Sequence, residues 1–430
     1  MTSVNTGEIQ KRIAAGERDF QGASLSGVNL RGANLRGANL RGANLRGANL
    51  HGADLRDAKL IRTDLGMADL GMTDFGSADL NGADFRGANL KGANFAGAIL
   101  DNANLRGADL HGADLRKAKL VRVDLSRADL RLADISDAEM RGADLRGADL
   151  SGANLRGASL HGATLHGADL RSSDLRNANL RGANLTDSWL EGSSFGGALA
   201  GGTVFADLDL RKATGLDTVS HASPSTIGTD TLTRSRGRIP DNFLRGCGLA
   251  PWEILAAKSY DPALNSADAA GLNTRVQQAR LGAPAQRKRV LLSHSELDQP
   301  FVDQLRKLLL ERGVYAWTAA HENKGLVRDR QSKLPIHHDL TLVVVLSKNS
   351  VQSDWVEHEI RLARKLQKSL NESVLCAISL DDSWENAPWK GRVLEDEKEG
   401  SVISFAEWQD RSILEPQFAR LFEALGLFHS

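Results

Sequence analysis

Residues 29–50 read NLRGANLRGANLRGANLRGANL, and this stretch decides how the first half of the chain folds. Its period is five, and the register extends far beyond it. From Phe20 to Leu210 every fifth residue is a large apolar side chain, and Ala200 is the only lapse. A period of five fits neither the 3.6-residue turn of a helix nor the two-residue alternation of a flat strand. It fits a chain that turns a corner every five residues and keeps one large and one small side chain inward. Leu or Phe takes the large position, and Ala stands two residues earlier, as at Ala33, Ala38 and Ala43. Thr63, Val123 and Ser173 are occasional substitutes for that Ala. The remaining places hold Asn or Asp, then Arg, then Gly, which suits an outward, turn-rich surface.

The pattern resembles the pentapeptide-repeat family, written A-(N/D)-L-x-x. The resemblance spans residues 17–210, about 39 pentads without an insertion. It implies a right-handed quadrilateral β-helix with four pentads per coil. That gives roughly ten coils and, at ~4.8 Å per coil, a rod on the order of 45 Å long. Such coils contact only their neighbours, so both ends need caps. Residues 1–16 are expected to supply the first, through a short helix over Glu8–Ala15. Phe75, Phe85 and Phe95 are expected to stack as a locally fatter core.

Lys plus Arg and Asp plus Glu each number 54, for a net charge of zero. No global field therefore draws the chain to nucleic acid or to an anionic membrane. Within the repeats, acids and bases alternate at neighbouring outward positions, which argues against the acidic DNA mimicry found in some pentapeptide-repeat proteins. The Arg column at Arg31, Arg36, Arg41, Arg46, Arg141, Arg146 and Arg156 reads as side chains pairing with nearby Asp or Asn rather than as a phosphate track. The two cysteines, Cys247 and Cys376, are far apart and have no metal-ligand spacing. A reducing compartment and no metal site are expected. No signal peptide or membrane span is apparent, so the expectation is a cytoplasmic protein.

After Leu210 the register dissolves. Residues 211–240 are rich in Ser and Thr and read as a loop or linker, and residues 211–286 as a whole as a connecting segment with short helices. Phe243, Leu244 and Trp252 are its apolar anchors. The run FLRGCGL resembles a linker that precedes C-terminal signalling domains in bacterial repeat proteins.

From Arg287 the composition changes. RVLLSHS is an apolar strand entering a polar turn, and QPFVDQLRKLLLERG is an amphipathic helix ended by Gly313. VYAW is a second strand, and AAHENKGLVRDRQ a long polar loop. TLVVVLS has the continuous apolar run of a central parallel strand. A helix over SDWVEHEIRLARKLQK follows, then strands SVLCAISL and SVISF and a last helix over PQFARLFEALGLF. This alternation predicts a doubly wound α/β domain over residues 287–430, with function at the carboxyl ends of its strands.

RVLLSHSELD resembles the first strand and loop of the TIR (Toll/interleukin-1 receptor) family, FISHSxxD. Trp317, Ala319, Lys324 and Gly325 partly match its W-x-A-x-E-x-x-K-G loop, and LSKNSVQSDWVEHEI matches L-S-x-x-S-x-x-S-x-W-V-x-x-E-I. The resemblance implies a flavodoxin-like parallel sheet. Ala320 and His321 replace a proline and an acidic residue often seen in that loop, and Pro335 interrupts the helix expected after it.

Many bacterial and plant TIR domains cleave NAD+ at the nicotinamide–ribose bond, so the resemblance implies NAD+ as a substrate rather than a resident cofactor. The family's catalytic Glu lies four residues after a Trp, a pair matched here by Trp355 and Glu359. A fixed carboxylate near the ribose stabilises an oxocarbenium-like state, and nicotinamide leaves neutral without a general acid. On a helix, Val356, Ile360 and Ala363 form the buried stripe, while Glu359 has no cation three or four residues away. Glu357 precedes Arg361 by four and reads as a surface carboxylate. The bland alternative for Glu359 is an ordinary exposed helix glutamate. Ser293, His294 and Ser295 end the first strand, where a nucleotide would sit; His294 is equally a turn histidine satisfied by backbone. Trp317 lines the pocket or is simply a core aromatic. Lys324 and Gly325 steer phosphates or form a contact between TIR domains.

Two functions follow. In the first, the β-helix is a sensing or oligomerisation platform, and self-association of the TIR domain switches on NAD+ hydrolysis, as in bacterial antiphage defence. In the second, the TIR domain is a non-catalytic interaction scaffold and the solenoid a spacer. Self-association through TIR domains and a protein ligand on the solenoid are the expected partnerships.

Overall fold

The computed structural model describes residues 6–281, 289–312, 314–318, 340–351, 354–370, 374–387 and 402–425. The chain divides into two compact units, one built on the repeats and one on the C-terminal sheet.

In the repeat unit, parallel bridges link residues twenty apart, as in Asn29↔Asn49, Asn34↔Asp54 and Asn39↔Lys59. Four pentads therefore close each coil. The Asn or Asp of each pentad makes the bridge: Asn49 N donates to Val28 O (2.9 Å) and Leu30 N to Asn49 O (2.7 Å). Its side chain then shapes the corner, since Arg31 N donates to Asn29 Oδ1 at 3.2 Å and Arg36 N to Asn34 Oδ1 at 3.1 Å. That Asx turn is the reason for the Asn/Asp preference. The residue two places after each Leu has positive φ, which Gly adopts freely, as Gly32 does at 64°.

The interior is filled by the two inward positions, with Leu40, Leu50, Ala48 and Ala58 all at 0 % exposure. Where Thr63 or Ser173 replaces Ala, the hydroxyl donates to a backbone carbonyl, Leu40 O or Leu170 O, each at 2.7 Å. Phe75 and Phe95, one coil apart, stack at 4.7 Å and 4° between planes, and Phe85 meets each of them edge-on. On the exposed sides, Arg pairs with the Asp two residues earlier, as in Asp129–Arg131 and Asp144–Arg146. Arg146 is the clearest member of the Arg column to do so, and Arg36 reaches Asp57 at 3.1 Å.

Both ends are capped. Helix α1 (Thr6–Ala14) buries Ile9 and Ile13, and Gln10 Nε2 donates to Asn29 O at 2.9 Å. At the other end the coils run past the expected limit of 210. Strands β1 (Leu199–Ala200) and β2 (Val204–Phe205) pair in parallel with β3 (Ser220–His221) and β4 (Thr226–Ile227). Helices α2 (Thr229–Arg234) and α3 (Asp241–Gly246) complete the cap. The Ser and Thr residues expected to form a linker instead satisfy the last coil's backbone. Leu208 N donates to Thr231 Oγ1 (3.2 Å), Thr231 Oγ1 to Phe205 O (2.9 Å) and Leu210 N to Ser235 Oγ (3.1 Å). Phe243 closes the apolar end edge-on to Phe205 and His221. Helices α4 (Pro251–Ala257) and α5 (Ser266–Leu281) lie further along the chain.

The second unit holds β5 (Arg289–Ser293), α6 (Gln299–Glu311), β6 (Ala316–Thr318), β7 (Leu340–Leu346), α7 (Asp354–Leu370), β8 (Leu375–Ser379), β9 (Val402–Ser404) and α8 (Arg411–Ala424). All strands are parallel, in the order β6-β5-β7-β8-β9. Alternate residues of β7 enter opposite cores. Val343 and Val345 pack with Phe301, Leu305, Phe418 and Leu421 of α6 and α8. Leu342, Val344 and Leu346 pack with Val356, Ile360 and Ala363 of α7. Burial on both faces explains the unbroken apolar run. Helix α8 begins five residues before Pro416 rather than at it. The buried Leu414, Phe418, Leu421 and Phe422 outweigh the one backbone hydrogen bond that the proline forgoes.

Candidate active site at the carboxyl end of the sheet

The chain passes from β5 to edge strand β6, then returns to lay β7 on the other side of β5. Strand order thus reverses between β5 and β7, and in open α/β sheets that crevice is where ligands bind. Ser293 ends β5, paired with Val344 of β7. Its Oγ is buried and has no hydrogen-bond partner among the described residues. His294 follows at 2 % exposure, with Nε2 at 2.8 Å from Gln299 Oε1. Gln299 Nε2 donates to Asp303 Oδ1, so its carbonyl oxygen faces His294 and can only accept. That partner is a side chain of α6. Ser295 is half-buried, and its carbonyl accepts from Asp298 N at 2.9 Å.

Asp298 ties the β5 loop to the β7 loop. Only 5 % exposed, it accepts from Ser347 Oγ at 2.6 Å and from Asn349 Nδ2 at 2.7 Å. Ser347 N in turn donates to Ser350 Oγ at 2.7 Å. Beyond β8, Asp381 accepts from Lys348 N at 3.0 Å and Ser383 N at 2.9 Å. Burial works to raise the Asp381 pKa, but these donors and the Lys348 charge outweigh it and hold the carboxyl below its usual range. Two carboxylates thus join the three loops at the sheet's carboxyl end. Sequence reasoning did not single out Asp298, Ser347, Asn349 or Asp381. The first three stand inside the matched runs SHSELD and LSKNS, so the signal was present, but the pairing spans 49 positions for Asp298 and Ser347.

Helix α7 carries Trp355 in its first turn and Glu359 one turn later. Glu359 is fully buried, at 0 % exposure, within the stretch that also buries Val356, Ile360 and Ala363. An exposed helix glutamate is therefore excluded. Glu357 is half-buried and pairs with the exposed Arg361. Burying a carboxylate beside aliphatic side chains carries a desolvation cost, and such residues concentrate at functional sites. Trp317 lies at 2 % exposure in the core shared with α7, opposite Leu291 and edge-on to Tyr315 at 5.0 Å. Lys324 and Gly325, with Ala320, His321 and Pro335, fall outside the described residues.

A separate shallow depression of about 310 Å³ lies on the repeat unit, lined by Arg171, Trp189, Glu191, Arg211 and Lys212 among others. Its charges are matched as Arg171–Asp169, Arg211–Asp209 and Lys212–Glu191. Among the described residues no group of His, Cys, Asp and Glu is placed to hold a metal ion, and no helix is long and apolar enough to cross a membrane.

Comparison with known proteins agrees with both halves. Pentapeptide repeats match between residues 19 and 214, and a TIR domain matches residues 290–413. HetL, a pentapeptide repeat protein involved in heterocyst differentiation regulation from the cyanobacterium Nostoc sp. strain PCC 7120, is 36 % identical; the match covers 49 % of this chain and 97 % of HetL, with a TM-score of 0.34. QnrB1, a plasmid-mediated fluoroquinolone resistance protein, is 18 % identical over 47 % of this chain and 89 % of its own, at 0.32. A pentapeptide repeat protein from the Arabidopsis thaliana thylakoid lumen is 33 % identical over 25 % and 69 %, at 0.18. No curated protein matches the chain. The repeating register, the doubly wound sheet and both family matches make this chain a pentapeptide-repeat β-helix protein fused to a C-terminal TIR domain.

Proposed function

We propose that the TIR domain hydrolyses NAD+ at its nicotinamide–ribose bond, that self-association switches the reaction on, and that the β-helix is the sensing or oligomerising platform. The observation that carries this reading is the complete burial of Glu359 on the helix that follows the central strand β7. A carboxylate withdrawn from water interacts strongly with charge developing beside it. As the C1′–N bond breaks, its electron pair leaves with nicotinamide, which becomes neutral. Glu359 stabilises the oxocarbenium-like ribose and holds its hydroxyls. Water adds to C1′ and loses a proton, giving ADP-ribose. The buried hydroxyl of Ser293 and the imidazole of His294 belong to the loop where the nucleotide would lie. NAD+ depletion of this kind suits a role in bacterial antiphage immunity.

The test is nicotinamide release from NAD+ by concentrated or crowded protein. Release that survives Glu357→Ala and falls at least 100-fold in Glu359→Gln upholds the reading. Silence in every assembled state leaves the TIR domain as a non-catalytic scaffold.

A further inference from the structure

One side of the β-helix carries a run of charges that pair with nothing in their own pentads. Elsewhere an Arg two residues after an Asp closes the pair within its own pentad, as in Asp114–Arg116 and Asp174–Arg176. On the side containing Asp19, Asn39, Lys59, Asp79, Ile99 and Lys119, which bridge in that order up the rod, this rule fails. Lys59 is followed two places later by Ile61, Asp79 by Asn81, and Lys119 by Val121. The column beside it carries Arg41 and Asp101. Among the described residues none of these six charged side chains is in an ion pair. Lys59, Lys119, Arg41 and Asp19 are exposed, and Asp79 and Asp101 half-exposed.

The order of charge along this side is not random. Reading up six coils it runs acid (Asp19), base (Arg41), base (Lys59), acid (Asp79), acid (Asp101), base (Lys119). Reversed and laid on itself, every acid meets a base. A two-fold axis perpendicular to the rod, lying in the plane of the face between the third and fourth coils, keeps each column opposite itself. It then sets Asp19 against Lys119, Arg41 against Asp101, and Lys59 against Asp79. Each contact is made twice. In the adjoining corner column the same operation sets Arg122 opposite Gly22, Asn102 opposite Gly42 and Arg62 opposite Gly82, so each side chain meets a glycine.

The register is also selective. Sliding one rod by a single coil places Lys59 on its own copy in one direction. In the other it places Asp79 on its own copy and Asp19 on Glu139. A parallel pairing sets one column against the other and matches no charges at all. We propose that this face is the interface of an antiparallel homodimer, its occupant a second copy of this chain, with the axis between the third and fourth coils. A continuous polyanion is disfavoured, because Asp79 and Asp101 interrupt the bases along its path. The pairing stands independently of the NAD+ reading and is expected unchanged in Glu359→Gln.

Asp19 and Lys119 supply the test, because they lie five coils apart, about 24 Å along one rod at the strand spacing, and cannot touch within a chain. Sedimentation of the full-length protein should show a dimer. Asp19→Lys and Lys119→Asp should each weaken it at least tenfold, and the double swap should restore it. A zero-length carbodiimide should link Asp19 to Lys119, which only two chains permit. A monomer at tens of micromolar overturns the proposal. So does association indifferent to the single reversals, the signature of contacts through other surfaces. Folded single variants whose double swap stays monomeric, with no Asp19–Lys119 link in the parent, overturn it too.

Discussion

Ser347 donates its hydroxyl to Asp298 at 2.6 Å, binding the loop after β7 to the loop after β5 at the crevice where the sheet reverses order. The carboxylate also takes Asn349 Nδ2 on its other oxygen, so its two oxygens hold two donors from one loop.

Removing that carboxylate leaves one buried donor, Ser347 Oγ, and one half-buried donor, Asn349 Nδ2, without their acceptor. Asp298→Ala is expected to destabilise the TIR domain by about 3 kcal/mol, and Ser347→Ala by about 1–2 kcal/mol. The double variant should lose less than the sum, because both changes break the same bond. Urea unfolding followed through TIR tryptophan fluorescence measures all three.

The phenylalanine stack is local. Phe95→Leu restores the consensus side chain and should cost about 1 kcal/mol, whereas Phe95→Ala opens a cavity worth about 3–5 kcal/mol. Because coils couple only to neighbours, faster amide exchange should be confined to the coils holding Phe75, Phe95 and Leu115. Exchange that rises evenly along the rod would contradict this.

Glycines at the corners differ in what a methyl group would meet. Gly112 has φ +63° and open space, so Gly112→Ala should cost only the backbone strain, about 1 kcal/mol. Gly215, at φ +72°, would place a Cβ 2.5 Å from Gly196 N. Gly215→Ala must displace backbone and should cost several times more. Thermal unfolding of the two variants side by side decides it.

His221 makes the C-terminal cap acid-sensitive. Burial lowers its pKa from 6.5 to about 4, while Nδ1 meets Ser225 Oγ at 3.0 Å. Between those values the unfolded chain holds the extra proton, so stability is full above pH 6.5 and falls as pH drops towards 4. The expected loss is about 3 kcal/mol, at 1.36 kcal/mol per pKa unit. The solenoid aspartates held low by their arginines, such as Asp129 beside Arg131, keep their full contribution across this window and lose it only as pH falls below the ordinary carboxylate range. Amide exchange of residues 220–247 at pH 7 and 4.5 should show the loss in the parent and a flat response in His221→Leu.

Much of this architecture was legible in the chain. The five-residue period specified the coil, because only a corner every pentad hides one Leu and one Ala while leaving Asn or Asp to bridge. The apolar run at Leu342–Leu346 likewise marked a strand buried on both faces. The cap was not legible: Thr231 and Ser235 resemble linker residues until the last coil's unsatisfied amides lie beside them. Nor was the burial of Glu359, since spacing places it on an edge of a helix without saying how deep that edge sinks.

The amino-acid sequence alone determined the repeating coil and the alternation of strands and helices in the second unit, because these depend on neighbours a few residues away, while the resemblance to the TIR family named the carboxylate to suspect. Tertiary structure alone decided which Ser and Thr close the rod, how Asp298 joins two loops, and which charges share a column. Those depend on groups tens of residues apart, brought together only when the backbone has closed.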